Sequence, residues 1–429
     1  MKLRNNTSIF ASLISLVFVF ACISPQIAES QTNPSYKYDF SSLYNPSEIS
    51  IHPDVRVLVE DDENAIVFFR IPKDEIMANL PSRLDTSFNL VIKYVLRNMS
   101  DFEITDSGVN RLKISTDFQT DYLDSYFRIS LKSNTKNKLI VGFTGLKNIA
   151  GCRIILDVDN SGEYTDSRFL VEEKQTGFEI CYNNLVRTGM TYRITSRSLD
   201  KYTVKINYYS FKDYILVPPY YVIPNDEINQ PDSVFDYVIG DTLVFNEKGF
   251  YVVQPTANMP GVLCLLNDGE HFPEIKTLSQ MLEPLKLVST AKELKLIKES
   301  EDLKTAIDDF WLGKSNNQKF AREQIRVFYN RVELSNKLFS DYREGWKTDR
   351  GNLYVILGPP TIVNMSEDGE EWFYGENPDV AGVLFIFDKE NSIYGSPVYK
   401  LRRGAVYQTI WSQAIATWRD GRIFTITKN

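Results

Sequence analysis

The first half of the chain alternates hydrophobic and polar residues with a period of two. Val55, Val57 and Val59 alternate with polar neighbours, and residues 88–96 show the same pattern over a longer stretch. Alternation of this kind, interrupted by short polar turns, is typical of antiparallel strands with one buried face. We therefore predict a β-sandwich over residues 49–148.

A second set of alternating segments follows the first. Ile154, Leu156 and Val158 form its first predicted strand, and residues 202–208 show the same period later in the chain. No internal repeat relates the two sets clearly enough to indicate a duplication. We predict a second antiparallel β-sandwich over residues 149–272.

Beyond Pro273 the period of the hydrophobic residues becomes that of helices. Thr290 and Glu293 stand three residues apart, as in a capping box that starts a helix. A later apolar stripe over residues 321–339 predicts a helix that continues to Glu344. We predict that residues 273–429 fold as one α+β unit, so the whole chain is multidomain with a mainly β N-terminal half.

The stretch from Gly345 to Pro360 follows this helix directly. Gly345 stands where a left-handed cap residue would end the helix, and Trp346 offers a large apolar anchor for the turn. Residues 353–357 form a nearly continuous apolar run, which predicts a strand. Gly358 and the two prolines after it would end that strand, because proline cannot donate a hydrogen bond to the sheet.

Two charged residues of this stretch have more than one interpretation. The short carboxylate of Asp349 can accept hydrogen bonds from turn amides, beside the permissive backbone of Gly351. Asp349 and Arg350 could instead be catalytic. We favour a turn that is structural or binds a partner, because Trp346, Asp349 and Arg350 are not accompanied by a histidine, cysteine or serine placed as an activated nucleophile.

The string Gly-Trp-x-Thr-Asp at 345–349, continued by Arg-Gly and closed by Gly-Pro-Pro, resembles the signature of the GWxTD-domain proteins. Phe310-Trp311, Arg331-Val332-Glu333 and Trp418-Arg419-Asp420-Gly421 match other segments of that family, so the resemblance covers roughly residues 280–422. It implies a cell-envelope protein of the Bacteroidota type, with no established biochemical role. The predicted structural or partner-binding residues are Gly345, Trp346, Thr348, Asp349, Arg350, Gly351, Gly358 and Pro359.

Composition and charge narrow the class of partner. The 429 residues carry a formal net charge of −8, which argues against nucleic acid or an anionic lipid surface as the main partner. Aromatic residues make up 13% of the chain, which favours a β-rich fold because these side chains suit pleated, half-buried surfaces.

The N-terminus has the features of an export signal. Lys2 and Arg4 precede an apolar run that ends in Ala21-Cys22, which resembles the lipobox of bacterial lipoproteins. We predict a signal segment at residues 1–30, with Cys22 lipidated, and a polar tether at 31–48. Ordinary signal cleavage near residues 28–30 is the alternative. The expected location is the outer membrane, facing the periplasm, with membrane contact through the lipid anchor.

The sequence predicts neither a metal site nor a cofactor. His52 and His271 lie far apart, and no cysteines stand at ligand spacing. Residues 157–162 (Asp-Val-Asp-Asn-Ser-Gly) resemble the start of a calcium loop, but Arg168 occupies the position that requires a glutamate, so we favour a hairpin turn. Cys152 and Cys181 could form a disulfide bond in an oxidising compartment, although small buried hydrophobic side chains are the favoured interpretation.

These observations favour a non-enzymatic interaction or assembly module that presents its C-terminal domain to another envelope component. The alternative is a glycan-binding or glycan-active protein, in which exposed tyrosines contact sugar rings. Glu370 and Glu371 would serve glycosidic chemistry only with a second carboxylate across a cleft, so we expect them at a solvated strand end.

Overall fold

Antiparallel β-sheets make up the N-terminal part of the chain, and helices packed with a further β-sheet make up residues 278–420. This is the predicted fold class. The computed structural model describes residues 39–46, 49–80, 82, 85–145, 151–162, 164–212, 214, 216–222, 230–256, 259–314, 317–377 and 381–426.

The first sandwich consists of a three-stranded and a four-stranded sheet. Their strand orders are β1-β2-β5 and β4-β3-β6-β7. Phe69, Leu90 and Phe143 are fully buried between the two sheets, because alternate residues of each strand point inwards. The strands and one short helix are β1 (Asp54–Val59), β2 (Asn64–Pro72), α2 (Lys73–Ala78), β3 (Ser87–Asn98), β4 (Ile104–Ser115), β5 (Tyr122–Ser130), β6 (Lys136–Gly145) and β7 (Cys152–Asp159).

The placement of β7 corrects the sequence-based division. Ile154, Leu156 and Val158 were expected to open the second sandwich, but β7 pairs with β6 and completes the first. Val158 is buried in the first core. Alternation along a segment indicates that it is a strand, but only the hydrogen-bonded neighbour determines which sheet it joins.

The second sandwich packs two four-stranded sheets, with strand orders β13-β10-β8-β9 and β12-β11-β14-β15. Phe169, Tyr192 and Ile206 are fully buried between them. The strands are β8 (Leu170–Lys174), β9 (Phe178–Ile180), β10 (Thr191–Thr195), β11 (Thr203–Tyr209), β12 (Ser233–Val238), β13 (Thr242–Val244), β14 (Gly249–Gln254) and β15 (Leu263–Asn267).

The C-terminal region packs helices with a four-stranded sheet of order β16-β17-β18-β19. The predicted capping box is present: Thr290 Oγ1 accepts from the Glu293 amide, and the Glu293 carboxylate accepts from the Thr290 amide. The elements are α3 (Leu278–Leu282), α4 (Ala291–Lys298), α5 (Leu303–Leu312), α6 (Gln318–Phe339), α7 (Asp349–Leu357), β16 (Ile362–Met365), β17 (Gly369–Asn377), β18 (Ala381–Asn391), β19 (Pro397–Leu401) and α8 (Gln408–Arg419).

The apolar run at residues 353–357 is helical, so the predicted strand is wrong. It forms the second half of α7, and all five side chains are buried. A helix buried on every side has no polar face, and its apolar run therefore looks like that of a buried strand. The preceding helix α6 also ends earlier than predicted, at Phe339.

The first described residues, 39–46, include side chains that pack inside the C-terminal region. The short helix α1 (Ser41–Tyr44) follows Phe40, whose amide donates to the Val363 carbonyl at 2.9 Å. Phe40 and Tyr44 are buried in the same core as Trp372. This part of the predicted tether is therefore packed, whereas residues 31–38, 47 and 48 lie outside the described residues. The described residues belong to one compact unit, Ser35–Asn429.

The predicted signal segment at residues 1–30, with Cys22, lies outside the described residues. Within the part of the chain that the structure describes, no helix is both long enough and apolar enough to span a bilayer.

Candidate functional site

The Gly-Trp-Lys-Thr string forms a 3₁₀ turn (Gly345–Lys347) and the N-cap of α7. Thr348 is the cap residue: its Oγ1 accepts from the Gly351 amide at 3.1 Å and donates to the Gly345 carbonyl at 2.8 Å. A capping hydroxyl satisfies one of the amides that the first turn of a helix leaves without a partner. The signature threonine therefore starts the central helix of the domain.

Gly345 and Gly351 allow the backbone of this turn to approach its neighbours closely. A Cβ atom at Gly345 would lie 1.8 Å from the Ser335 carbonyl oxygen on α6, and one at Gly351 would lie 1.8 Å from the Gly345 carbonyl oxygen. The left-handed conformation predicted for Gly345 is wrong, because its φ is not positive. Gly358, at the end of α7, has the positive φ, at 88°.

Trp346 lies in the C-terminal core with only 4% of its surface exposed. Its amide donates to Asn336 Oδ1 on α6 at 3.4 Å. The side chain is thus the apolar anchor that the sequence predicts, but it holds the turn to the domain interior. In this conformation it is not available to a partner.

Asp349 is the first residue of α7 and joins three parts of the chain. Its Oδ2 accepts from the Leu401 amide at 2.9 Å, and its Oδ1 pairs with Arg403. Arg403 also donates to the carbonyls of Val217 and Pro218, at 3.2 and 2.9 Å. The predicted contacts to turn amides are replaced by contacts to the end of β19. A carboxylate at a helix N-terminus is also favoured by the helix dipole.

Arg350 and Glu370 form the centre of a buried polar network. Arg350 Nη1 lies 2.6 Å from Glu370 Oε1, and its guanidinium lies 3.6 Å from the centroid of the Tyr399 ring. Glu370 also accepts from the Tyr44 hydroxyl at 3.0 Å and from Trp372 Nε1 at 2.8 Å. Burial, and then the charge of Glu370, raise the pKa of Tyr44.

The sequence predicted a solvated strand end for Glu370 and Glu371, and for Glu370 this prediction is wrong. Only 5% of its surface is exposed, whereas its neighbour Glu371 is exposed. Successive residues of β17 point to opposite faces of the sheet, so one glutamate faces the core and the next faces solvent. Which face is buried depends on α1 and α7, and the local sequence does not show it.

The C-terminal end of α7 is capped by side chains from distant elements. Arg331 on α6 donates to the Val355 carbonyl at 3.2 Å, and Trp418 Nε1 on α8 donates to the Ile356 carbonyl at 2.9 Å. The Tyr374 hydroxyl donates to the Gly358 carbonyl at 2.8 Å. Pro359 follows Gly358 directly, where the helix has ended.

Arg331 makes these bonds from a buried position, and burial lowers its pKa to about 10. Its direct contacts are carbonyl oxygens and the face of the Trp418 ring, with the guanidinium 5.4 Å from the ring centroid. Sequence reasoning did not single out Arg331 and Trp418 as site residues. The available signal was their presence in the segments that resemble the family, and these segments converge on α7.

The remaining candidate sites have structural explanations. Cys152, Cys181 and Cys264 are free thiols, and burial raises the pKa of Cys152 and of Cys181 to about 12. His52 Nδ1 lies 2.8 Å from the Glu75 carboxylate. Among the described residues, no group of three or more histidine, cysteine or acidic side chains could hold a metal ion.

The calcium-like segment is a turn held by its own side chains. Asp159 Oδ1 accepts from the amide and the hydroxyl of Ser161, at 2.9 and 2.6 Å. Arg168, at the position where a calcium loop needs a glutamate, donates to the Gly162 carbonyl at 2.8 Å. The turn leads from β7 to β8 in the other sandwich, so it is not the hairpin that the sequence predicted.

Comparison with solved structures gives only partial likenesses. One match is a glycosyl hydrolase family 2 member from Bacteroides cellulosilyticus, with 7% sequence identity and a TM-score of 0.19. The matched region covers 30% of this chain and 17% of the hydrolase chain. Another match is red sea bream transglutaminase, with 4% sequence identity and a TM-score of 0.19. The matched region covers 52% of this chain and 32% of the transglutaminase chain. Likenesses this weak support no conclusion about fold or function. A comparison with curated proteins finds no match.

The match to a protein family is specific. The family model of the GWxTD domain matches residues 249–420, which adds β14 and β15 to the region that the motifs indicated. The matched region contains the signature turn, α7 and the residues that cap both ends of that helix. The chain therefore contains a GWxTD domain, at residues 249–420.

Proposed function

We propose that this chain is an exported, lipid-anchored cell-envelope protein whose GWxTD domain acts as a non-enzymatic interaction or assembly module. The observation that supports this proposal is the use of the signature side chains within the fold. Thr348 caps α7, Asp349 pairs with Arg403, and Arg350 pairs with Glu370. Each of these contacts joins the signature to another element of the fold, and this structural use supports a scaffold over a catalytic centre.

The same contacts predict how the signature responds to substitution. Asp349→Asn removes the charge that balances Arg403, and both side chains are nearly buried, so we expect a loss of roughly 1–3 kcal/mol in the free energy of unfolding. Asp388→Asn is the matched control, because Asp388 pairs with Arg402 and both side chains are well exposed. Chemical denaturation of the three proteins measures the difference.

Activity assays on the same variants distinguish a scaffold from an enzyme. If the signature is structural, Asp349→Asn loses stability and partner binding together. A stable Asp349→Asn protein that has lost a hydrolytic activity on peptidoglycan or polysaccharide would show that the signature is catalytic.

Location and partner are tested in native membranes. Cys22→Ser removes the thiol that would be acylated, so it should move the protein into the soluble periplasmic fraction. Retention in the membrane with unchanged mass would contradict lipidation. Crosslinking followed by mass spectrometry should join an envelope protein to residues 249–420, whereas partner crosslinks confined to residues before 249 would contradict a role for the GWxTD domain.

One surface favours the second candidate function, glycan binding. Tyr122, Asp124 and Tyr126 alternate along the edge strand β5, and the two tyrosines are 42% and 55% exposed. Asp124 also accepts from the Tyr182 hydroxyl at 3.0 Å. Exposed aromatic rings suit sugar rings, and Tyr126 is the ring to test, because Arg70 pairs with Asp124 and lies 4.8 Å from the centroid of the Tyr122 ring. Pull-down with peptidoglycan or capsular polysaccharide tests glycan binding. If the protein binds a glycan through this surface, the polysaccharide should retain less of Tyr126→Ala than of the wild type.

A further inference from the structure

A cavity of about 200 Å³ lies where the first sandwich, α1 and the GWxTD domain meet. The sandwich contributes Lys138, Ile155 and Asp157, and α1 contributes Leu43 and Tyr44. The side chain of Asp157 is 41% exposed, so the cavity reaches solvent on the side of β7. The GWxTD domain contributes Arg350, Met365, Ser366, Gly369, Glu370 and Tyr399. Cavities between domains are preferred positions for small ligands.

The charged groups in and behind this cavity do not balance. Lys138 and Lys389 both pair with the single carboxylate of Asp157, and Arg350 pairs with Glu370. Three cations therefore face two carboxylates, and the lysine side chains are only 6% and 14% exposed. An uncompensated charge away from solvent is costly, so this cluster attracts one further negative charge.

The crowding of positive charge affects the pKa of Lys138. Burial lowers the pKa of Lys138, and the nearby ammonium of Lys389 lowers it further, against the attraction of Asp157. Burial opposes ionisation of Asp157, but the charges of Lys138 and Lys389 outweigh it and lower the pKa of that carboxyl. Asp157 is therefore fully ionised at neutral pH and is shared between two cations.

Tyr399 interacts with both the Arg350–Glu370 ion pair and the cluster of Lys389 and Asp157. Its ring stacks against Arg350, and its hydroxyl interacts electrostatically with Lys389, Asp157 and Glu370. Within the described part of the chain, the Tyr399 hydroxyl forms no hydrogen bond to a protein group. It is thus placed to donate to a ligand beside the lysine cluster.

From this juxtaposition we infer that the cavity binds a small carboxylic acid, whose single negative charge completes the cluster of Lys138, Lys389 and Asp157. The ligand is a monoanion, because the three cations exceed the two carboxylates by one charge. Its size is limited, since the cavity would hold about seven water molecules at roughly 30 Å³ each. Leu43, Ile155 and Met365 provide apolar surface for the rest of the molecule.

Isothermal titration calorimetry on the protein tests this site with two acids and their neutral analogues. The probes are D-glucuronate against D-glucose and benzoate against benzyl alcohol. We expect saturable binding of at least one acid and no detectable binding of its neutral analogue. The inference is overturned if neither acid binds, or if an acid and its neutral analogue bind equally well. Inorganic phosphate at pH 8, a dianion, should bind more weakly than the acid, and tighter binding would overturn the assignment of a monoanion.

Two variants locate the binding in this cavity. Lys389→Met removes the excess charge and should weaken acid binding at least about tenfold, as expected for a lost charge-assisted hydrogen bond. Tyr399→Phe keeps every charge and should also weaken it, which covers the case in which Lys389→Met does not fold. Lys400→Met is the matched control, because Lys400 pairs with Glu390 and is 44% exposed. Unchanged affinity in both Lys389→Met and Tyr399→Phe would overturn the site.

Discussion

Gly345 and Gly351 show how single residues of the signature meet a demand of packing. Both lie where backbone atoms of the turn approach other backbone atoms, so a side chain at either position would meet a rigid group. The family signature thus includes glycine for lack of space beside α6 and the turn itself. The conformational freedom of glycine, which the sequence suggested for Gly345, is used at Gly358 instead.

Gly345→Ala should lower the free energy of unfolding by about 2 kcal/mol or more, because the new methyl group must push the turn away from α6. Gly177→Ala is the matched control, since nothing lies within 4 Å of a Cβ atom at that exposed position. Urea denaturation of both variants measures the change. Equal stability of the two variants would contradict the close approach at Gly345.

At the scale of elements, Glu293 connects three helical segments. It completes the capping box of α4, and its carboxylate also binds Arg419 at the end of α8, at 2.8 Å, and Lys314 after α5, at 2.5 Å. The hydrogen bond from Arg419, followed by those from Lys314 and Thr290, outweighs burial and holds the pKa of Glu293 well below its usual value of 4.5.

This depressed pKa makes a pH prediction with a defined sign. The folded state binds the proton of Glu293 less readily than the unfolded state, so its stabilisation is complete above about pH 4.5 and is lost as the pH falls further. Glu293→Gln should therefore melt below the wild type at pH 7, and the difference should shrink in acid.

Melting curves recorded between pH 7 and pH 3 measure this convergence. Glu299→Gln is the control, because Glu299 is 63% exposed and pairs with Lys295 at 3.7 Å. A gap between Glu293→Gln and the wild type that does not narrow below pH 4.5 would contradict the proposed contribution of the charge.

At the scale of the whole molecule, the core of the GWxTD domain is completed by α1, a segment from the N-terminal part of the chain. The Tyr44 ring packs against Phe339 and Trp372, its hydroxyl donates to Glu370, and its carbonyl accepts from Tyr354. The expectation that residues 273–429 fold as one unit omits this contribution. The family match, which begins at residue 249, likewise extends the domain beyond that boundary.

Tyr44→Ala should cost about 3–5 kcal/mol, the usual range for removing a large buried aromatic side chain, and it also leaves Glu370 with one donor fewer. Tyr202→Ala is the control, because that tyrosine is 43% exposed. Differential scanning calorimetry should show a lower melting temperature for Tyr44→Ala alone. A wild-type melting temperature for this variant would mean that α1 does not contribute to the core.

The sequence by itself was sufficient to identify the strands and helices that have one buried and one exposed face. It was also sufficient to identify the GWxTD signature. Alternating strands, the capping box at Thr290 and the signature at residues 345–349 are local patterns, and each can be recognised without the rest of the chain. They were sufficient to predict two sandwiches followed by an α+β domain.

Only the tertiary structure decided the features that depend on distant partners. A fully buried helix such as α7 has no polar face, so its period is hidden. The burial of Glu370 depends on Tyr44, which lies 326 residues away in the chain, and the second ion pair of Asp157 depends on Lys389, 232 residues away. Local patterns report which residues share one face of a helix or strand, but the three-dimensional packing decides which face is buried and which remote segments pair.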